Sequence, residues 1–470
     1  MHCRALLILA LVTLALPAAL TPPAAACTSF MLETDDGLYF AHSLNHGGLD
    51  AVNGGVYINP RGLWKRGYDM PTMMGGTPDA GPTLIWKACY GSVTFSPLGR
   101  ENPDGGMNEA GLFIFEKGYD PVYSTDPTLP VLFQMQWMQY QLDNYSTVEE
   151  VVANADRIAL DGWGWHYFVA DATGDAAIID YVDGKAEVYR GESLPYPICC
   201  NSNYEYALGF LSQHEGFGGD IPIEQNFDET PRFIYGAKLL VEHEDEEPAQ
   251  YCLDMLDGMS MYVRWAVVFD LERSTVHFRT DVNREDRSFS FSPADFEQDA
   301  GTLMFDVNAA GAGDVRSMFE PYDADIEAEF LADVLNLFME DEAKAAAAGE
   351  AHAARLEYVD LAELYEIEGA WTGTVTVSVQ GEEKSLSVAL NLEESGGVYT
   401  GTIDGEAFGK QLPLHNIAFR GGLLAFTSRD PESGELIRYQ LYQRGTELKG
   451  GAWTWDWRNR KTASITLTRG

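Results

Sequence analysis

The sequence predicts a layered α+β domain followed by a small antiparallel β-barrel. Two patterns point to this. From residue 27 to residue 323 an early hairpin, two helical stretches and a longer run of strands succeed one another, the order of an α+β layered domain. From residue 369 onward about eight short alternating segments are parted by glycine-rich or charged turns, the spacing of a small antiparallel barrel or sandwich. Between them, residues 324–368 are acidic and helical in pattern, with the run Ala345-Ala346-Ala347-Ala348. They read as an interdomain helix or tether.

The first domain opens with Thr28–Leu32 as a strand, Asp35-Asp36-Gly37 as a turn and Leu38–Ala41 as the returning strand. This hairpin carries His42, Ser43 and Asn45 back beside residue 27. Val56–Asn59 reads as a short strand ending at Pro60-Arg61-Gly62. Met107-Asn108-Glu109-Ala110-Gly111-Leu112 is a turn that feeds the apolar run Phe113–Phe115. Helical spacing covers Pro130–Leu142, and a second helix is expected from Thr147, a capping residue, to Ile158. Strands follow at His166–Ala170, Ala176–Tyr181 and Ala186–Tyr189, then the polar stretch Cys200-Asn201-Ser202-Asn203. Thr230-Pro231-Arg232-Phe233 opens a helix to about Val241, and Trp265–Asp270 with Thr275–Arg279 reads as a hairpin. In the second domain, Gly369-Ala370-Trp371-Thr372-Gly373 is similar to the first strand of lipocalin-like barrels. Trp453, Trp455 and Trp457 alternate at strand spacing and would share one face.

A chain of 470 residues, 46% hydrophobic and 12% aromatic, has the means to fold into two or three domains. Its 31 Lys and Arg stand against 72 Asp and Glu, a formal charge of −41. Such a surface repels phosphate backbones and anionic membranes, so a nucleic-acid partner is not expected. Arg4 precedes an apolar run, Ala5–Leu20, and small residues close it, the layout of a secretory leader ending at Ala26. No other long apolar run is present, so stable membrane insertion is not expected of the mature protein. An exported, periplasmic or extracellular protein follows from this layout.

Cleavage after Ala26 would give Cys27 a free α-amino group. One residue would then carry a nucleophile and a base, since an α-amino group titrates near pH 7.7–8.0. Three readings stand at this point: a buried or disulfide-bonded cysteine, an acylated lipoprotein cysteine, and a catalytic nucleophile activated by its own amine. Ala24 and Ala26 fit ordinary cleavage, whereas acylation usually has a larger aliphatic residue at position 24. The connectivity of Cys27, Cys89, Cys199, Cys200 and Cys252 cannot be read from spacing. The sequence lacks HExxH and paired CxxC motifs, its histidines are scattered, and its glycines do not form a phosphate loop. No metal and no cofactor is expected.

With Cys27-Thr28-Ser29-Phe30, Asn59-Pro60-Arg61-Gly62, Met107-Asn108-Glu109-Ala110-Gly111-Leu112, Asn201-Ser202, Pro231-Arg232-Phe233 and Trp265–Asp270 in this order, residues 27–322 resemble the choloylglycine hydrolase family. This family of penicillin V acylases, bile salt hydrolases and related linear-amide hydrolases belongs to the N-terminal-nucleophile class. The resemblance implies an αββα sandwich with Cys27 at its centre, attacking a linear amide to give a thioester acyl-enzyme. It implies Asn201 as an oxyanion donor, Arg232 as an active-site arginine and Gly118 as the aligned position for a second donor, through its backbone N–H alone. His42 stands where the family has arginine and Asn45 where it has aspartate. Asn45 is still able to hydrogen-bond the α-amino group, but the site is expected to lose fixed charges of both signs. The implied partner is a small N-acyl amide, and a homo-oligomer is compatible with this reading. Two alternatives stay open: a binding protein or lipoprotein on a degenerate hydrolase scaffold, and a cysteine dipeptidase.

Overall fold

The structure, a computed structural model, describes residues 27–45, 54–75, 84–126, 128–226, 228–243, 247–260, 263–339, 341–357, 367–379, 382–395, 398–406, 411–430, 433–454 and 462–470. The expected leader, Trp455 and Trp457 lie outside them.

Two sheets form the centre of the first domain. The first has seven strands, in the order Ile198–Cys199, Thr28–Thr34, Gly37–Asn45, Val263–Asp270, Thr275–Thr280, Arg287–Ser290 and Gly313–Asp314. The expected hairpin is its core: Thr34 pairs with Gly37 across Asp35-Asp36, and Gly37 adopts φ +130°, a conformation that side-chain-bearing residues rarely take. The second sheet has nine strands and runs from Lys185–Arg190 at one edge through Trp165–Ala170, Phe113–Gly118, Gly105–Asn108, Ser92–Ser96 and Gly55–Asn59 to Glu320–Pro321 at the other. The sheets meet through buried aromatics such as Phe40, Phe113, Phe115, Phe168 and Phe269. Tilted and edge-on ring pairs of this kind add to the area they bury.

Helices cover both outer faces. Pro248–Gly258 packs on the first sheet. On the second sheet lies Gln134–Asn144, its residues buried throughout. Its start differs from the expected Pro130: Val131–Phe133 is a short parallel strand, and the helix begins only at Gln134. The apolar spacing of this stretch fits either element, and pairing with Ala159–Asp161 decides it. The second expected helix ends at Asn154, opened as foreseen by Thr147, whose hydroxyl accepts from Glu150 N.

The stretch read as an interdomain helix or tether forms two helices, Ala324–Met339 and Glu342–Glu357, and they have a packed face. Leu331, Val334, Leu335, Ala345 and Ala348 enter the outer core of the second sheet. Glu327, also buried, accepts from Tyr57 Oη and from Arg100 N.

The C-terminal region is a single nine-stranded sheet whose order, Leu412–Pro413 through Gly369–Val379 to His415–Arg420, brings its two ends to neighbouring stretches of chain, so that it is nearly closed. Trp371, Leu390, Phe426, Leu441 and Leu467 fill its interior. The barrel docks on the outer helical layer of the first domain. Tyr140 Oη donates to Gly421 O at 3.0 Å, Arg420 Nη1 lies 2.7 Å from Glu150 Oε1, and Leu423 and Tyr442 join the core around Trp86 and Tyr140. Gly421 adopts φ +58°, and a Cβ there would sit 2.3 Å from Tyr140 Oη.

Candidate active site

Register sets the site. Ser29 pairs with His42 on one side and with Cys199 on the other, so these three side chains share a face of the first sheet. That face looks at the second sheet, where the His42 ring stacks on Phe115 at 4.2 Å between centroids. Cys27 lies two residues before Ser29 and is 2% exposed.

His42 bridges two polar groups. Its Nδ1 is 2.8 Å from Ser29 Oγ, and its Nε2 is 2.9 Å from Asp104 Oδ2. Asp104 Oδ2 also accepts from Trp265 Nε1 at 3.0 Å. The 2.9 Å distance to a carboxylate oxygen favours the proton on Nε2, an ion-pair approach without the alignment of a hydrogen bond, and Nδ1 then accepts from the serine hydroxyl. Burial lowers the His42 pKa to about 4, against the pull of Asp104, so the ring is neutral at pH 7. The order carboxylate, imidazole, hydroxyl is that of a serine-hydrolase relay, but Ser29 is fully buried. Here the relay anchors the strand that carries Cys27.

Two further ionisable groups enter from the second sheet. Glu116 and Lys117 are consecutive on Phe113–Gly118 and both are buried. Burial, and then the neighbouring Asp104, pushes the Glu116 pKa well above the usual carboxylate range. Lys117 shares a face with Phe115, donates to Phe115 O at 3.1 Å and stands over the Phe168 ring. Its pKa is lowered by burial and supported by Cys199, Glu116 and Cys27. The Cys27 thiol is in turn pushed well above its ordinary value, by burial first and then by Glu116 and Asp104. The Asn45 backbone N–H and Lys117 pull the other way.

Asn201, Arg232 and Gly118 form one constellation. Arg232 is fully buried, and its Nη2 donates to Asn201 Oδ1 at 3.0 Å. A guanidinium only donates, so the amide of Asn201 is oriented by it, and Nδ2 then donates to Gly118 O at 2.8 Å. Gly118 thus meets Asn201 through its carbonyl; the resemblance pointed to its N–H. Arg232 also reaches Cys200, whose thiol sits 3.6 Å from Thr28 Oγ1.

Beside this group lies a buried ion pair. His166 Nδ1 is 2.8 Å from Asp180 Oδ1, and its Nε2 is 2.9 Å from Cys200 O. Both ring nitrogens face acceptors, so both donate and the ring is an imidazolium. Against desolvation, Cys199 and the Asp180 carboxylate raise its pKa to about 10. Two-dimensional 15N spectra are expected to show His166 charged at pH 7. They should show His42 and His352 neutral down to about pH 4. The unfolded chain accepts protons that His42 and His352 refuse. Each histidine therefore withdraws stability as pH falls from its ordinary 6.5 toward about 4. A neutral His166 at pH 7 would contradict this assignment.

Cys27, His42, Asn45, Asn201, Arg232 and Gly118 all lie on or beside the same end of the sheets, Asn45 through its backbone contact with the thiol. The expected loss of fixed charges concerned His42 and Asn45 in the first hairpin. Asp104 and Lys117 bring an acidic and a basic side chain to the site from the facing sheet, which a reading confined to the first hairpin could not find. Asp104, Glu116, Lys117 and His166 are the residues that reading missed. The alternation of Phe113, Phe115 and Lys117 was their only signal, since it puts a lysine on an otherwise aromatic inner face. Among the described residues Cys27, Cys89, Cys199, Cys200 and Cys252 are free thiols, and no cluster of side chains suits a metal ion.

The motifs themselves also connect. Arg61 Nη1 is 2.6 Å from Glu109 Oε2, whose partner oxygen accepts from Gly91 N. Asn108 Oδ1 accepts from Ala110 N and Leu112 N, while its Nδ2 donates to Leu142 O and Tyr145 O. These polar residues build the turn that leads into Glu116, Lys117 and Gly118.

Residues 27–238 match the family described as linear amide C–N hydrolases, choloylglycine hydrolase family. A penicillin V acylase of Pectobacterium atrosepticum is 29% identical over 175 residues, covering 32% of this chain and 45% of that protein. The chain thus spans about half the length of this curated relative. The solved penicillin V acylase of Agrobacterium tumefaciens superposes with a TM-score of 0.55 at 21% identity, over 63% of this chain and 98% of that one, which shows a shared fold. A conjugated bile acid hydrolase of Clostridium perfringens superposes at 0.47 with 16% identity, over 62% and 99% of the two chains.

Proposed function

We propose that the mature protein, whose residues 27–238 match the choloylglycine hydrolase family of linear amide C–N hydrolases, is an exported amidase with Cys27 as its N-terminal nucleophile. The observation that carries this reading is the state of the Cys27 thiol. Burial and two acidic neighbours hold it protonated, so it needs a base at the moment of attack. Cleavage after Ala26 supplies one on the same residue, an amine with a pKa of about 7.7–8.0.

In this reading the α-amine takes the Sγ proton while sulfur attacks the amide carbonyl carbon. The carbonyl oxygen becomes an oxyanion. The Asn201 carboxamide has two N–H donors, and the one not spent on Gly118 O is the donor for that oxyanion. The ammonium returns the proton to the leaving nitrogen as the C–N bond breaks, leaving a thioester. Water, deprotonated by the same amine, then releases the acid and restores the thiol. Lys117 lowers the cost of negative charge on sulfur. Arg232 holds the Asn201 amide in the donating orientation.

The substrate is a small N-acyl amide. Among the described residues no helix is long and apolar enough to cross a membrane. The barrel, with its own packed interior, is read as a lipocalin-like accessory domain.

The test joins N-terminal sequencing of the exported protein to a panel of N-acyl amides, headed by penicillin V and a conjugated bile acid after the relatives' names. A chain beginning at Cys27 that turns over at least one member is the expected result. An N-terminus elsewhere, or an acylated Cys27, removes the proposed base and the proposal with it.

A further inference from the structure

The first domain contains a second feature that the amidase reading does not use. A cavity of about 750 Å3 opens beside the two-helix segment, and Lys65, Arg66, Arg100, Arg355, Glu101 and Tyr322 are among the residues that line it. Neither Cys27 nor Asn201 nor Arg232 lines it. The chain carries 31 basic residues against 72 acidic ones, yet four of the basic residues and one acidic residue are on this wall.

The charges are not all spent. Lys65 is neutralised, with Glu101 Oε1 at 2.8 Å and Asp143 Oδ2 at 3.0 Å. Arg100 differs. It is 8% exposed, and its Nε is buried without a hydrogen-bond partner, 3.9 Å from Glu101 Oε1. Glu327, the other acid near it, gives one oxygen to the Arg100 backbone N–H and the other to Tyr57. Arg355 donates through Nη2 to Thr72 O at a long 3.4 Å, while its Nη1 is buried with no partner. Those two nitrogens have almost no accessible surface, so an acceptor in the cavity would meet the other N–H groups of each guanidinium.

Both guanidiniums are also held in place. Arg100 sits 4.9 Å from the centre of the Tyr322 ring and Arg355 5.4 Å from that of Tyr68. Stacking fixes the plane of each fork, the condition for two parallel N–H bonds to a planar or tetrahedral oxyanion. Leu63, Pro321 and Leu356 give the same cavity an apolar side.

We propose that this cavity is a binding site for a small organic oxyanion, a carboxylate or phosphoryl group held by Arg100 and Arg355 with an apolar body against Leu63 and Leu356. The inference is independent of the amidase reading, because it uses none of the groups around Cys27.

Calorimetric titration of the full processed protein with inorganic phosphate and, separately, with succinate at constant ionic strength tests it. Saturable binding of at least one is expected, and the better ligand identifies the phosphoryl or the carboxylate source. Arg355→Gln should weaken that binding about tenfold or more, the worth of a charge-assisted hydrogen bond. Arg100→Lys keeps the charge but loses the fork, so it should also weaken binding. Lys344→Gln removes an exposed charge elsewhere and should leave it unchanged. Absence of saturable binding to both anions overturns the proposal, as does an Arg355→Gln protein that binds as well as its parent. Loss of affinity on Lys344→Gln equal to that on Arg355→Gln would mean bulk charge attraction and would overturn it too.

Discussion

Cys27→Ser is expected to lower kcat/KM on an N-acyl amide by roughly four orders of magnitude or more, the scale seen when a nucleophile is removed from an enzyme of this logic. The substitution changes one atom and little volume. What it changes is acidity. The native thiol is already pushed up by burial and by Glu116 and Asp104. A hydroxyl in the same place starts several units higher still, so in a site built around a thiol the amine takes its proton far less readily. Lys117 and the Asn45 N–H, which assist negative charge on sulfur, would not close that gap. The processed N-terminus and the far-ultraviolet spectrum should be unchanged. Activity within tenfold of the parent would exclude Cys27 as the attacking group.

Asn201→Asp is expected to reduce kcat by about 10²–10³-fold with a small change in KM, the cost of one oxyanion donor. Asp keeps an acceptor for Arg232 Nη2, so the buried guanidinium stays paired. Asn201→Ala removes both functions. It should lose kcat to a similar degree and in addition lower Tm, since Arg232 is left with an unmet donor worth about 1–3 kcal/mol. Comparing the two variants separates the donor's chemistry from its structural partner. If Asn201→Asp retained full kcat, Asn201 would be a spacer between Arg232 and Gly118 and the oxyanion role would be lost.

Much of the fold was legible because the local signals were strong. Asp35-Asp36-Gly37 announced the hairpin, Thr147 its helix, and the alternating segments after Gly369 the barrel. Val131–Phe133 was misassigned because short apolar runs carry no period of their own; only its partner strand settles it. The first-hairpin part of the site could be read from register alone: His42 and Asn45 return beside Cys27 because the turn has two residues. Asp104 and Lys117 could not be read in this way. Their place depends on how the two sheets face each other, which no local pattern encodes. The two helices after residue 323 were legible as helix, but whether they packed or merely spanned depended on a facing core that their own alanines do not encode.

The docking of the barrel bears on how this protein can be handled. Leu423 and Tyr442 are its deposit in a core that otherwise belongs to the first domain, and Gly421 admits the Tyr140 hydroxyl where any side chain would collide. Anyone who trims the polypeptide at residue 357 to keep only its first domain would strip a lid from Trp86 and Tyr140. The shortened product would be sticky and best made with that oily patch repainted in polar residues.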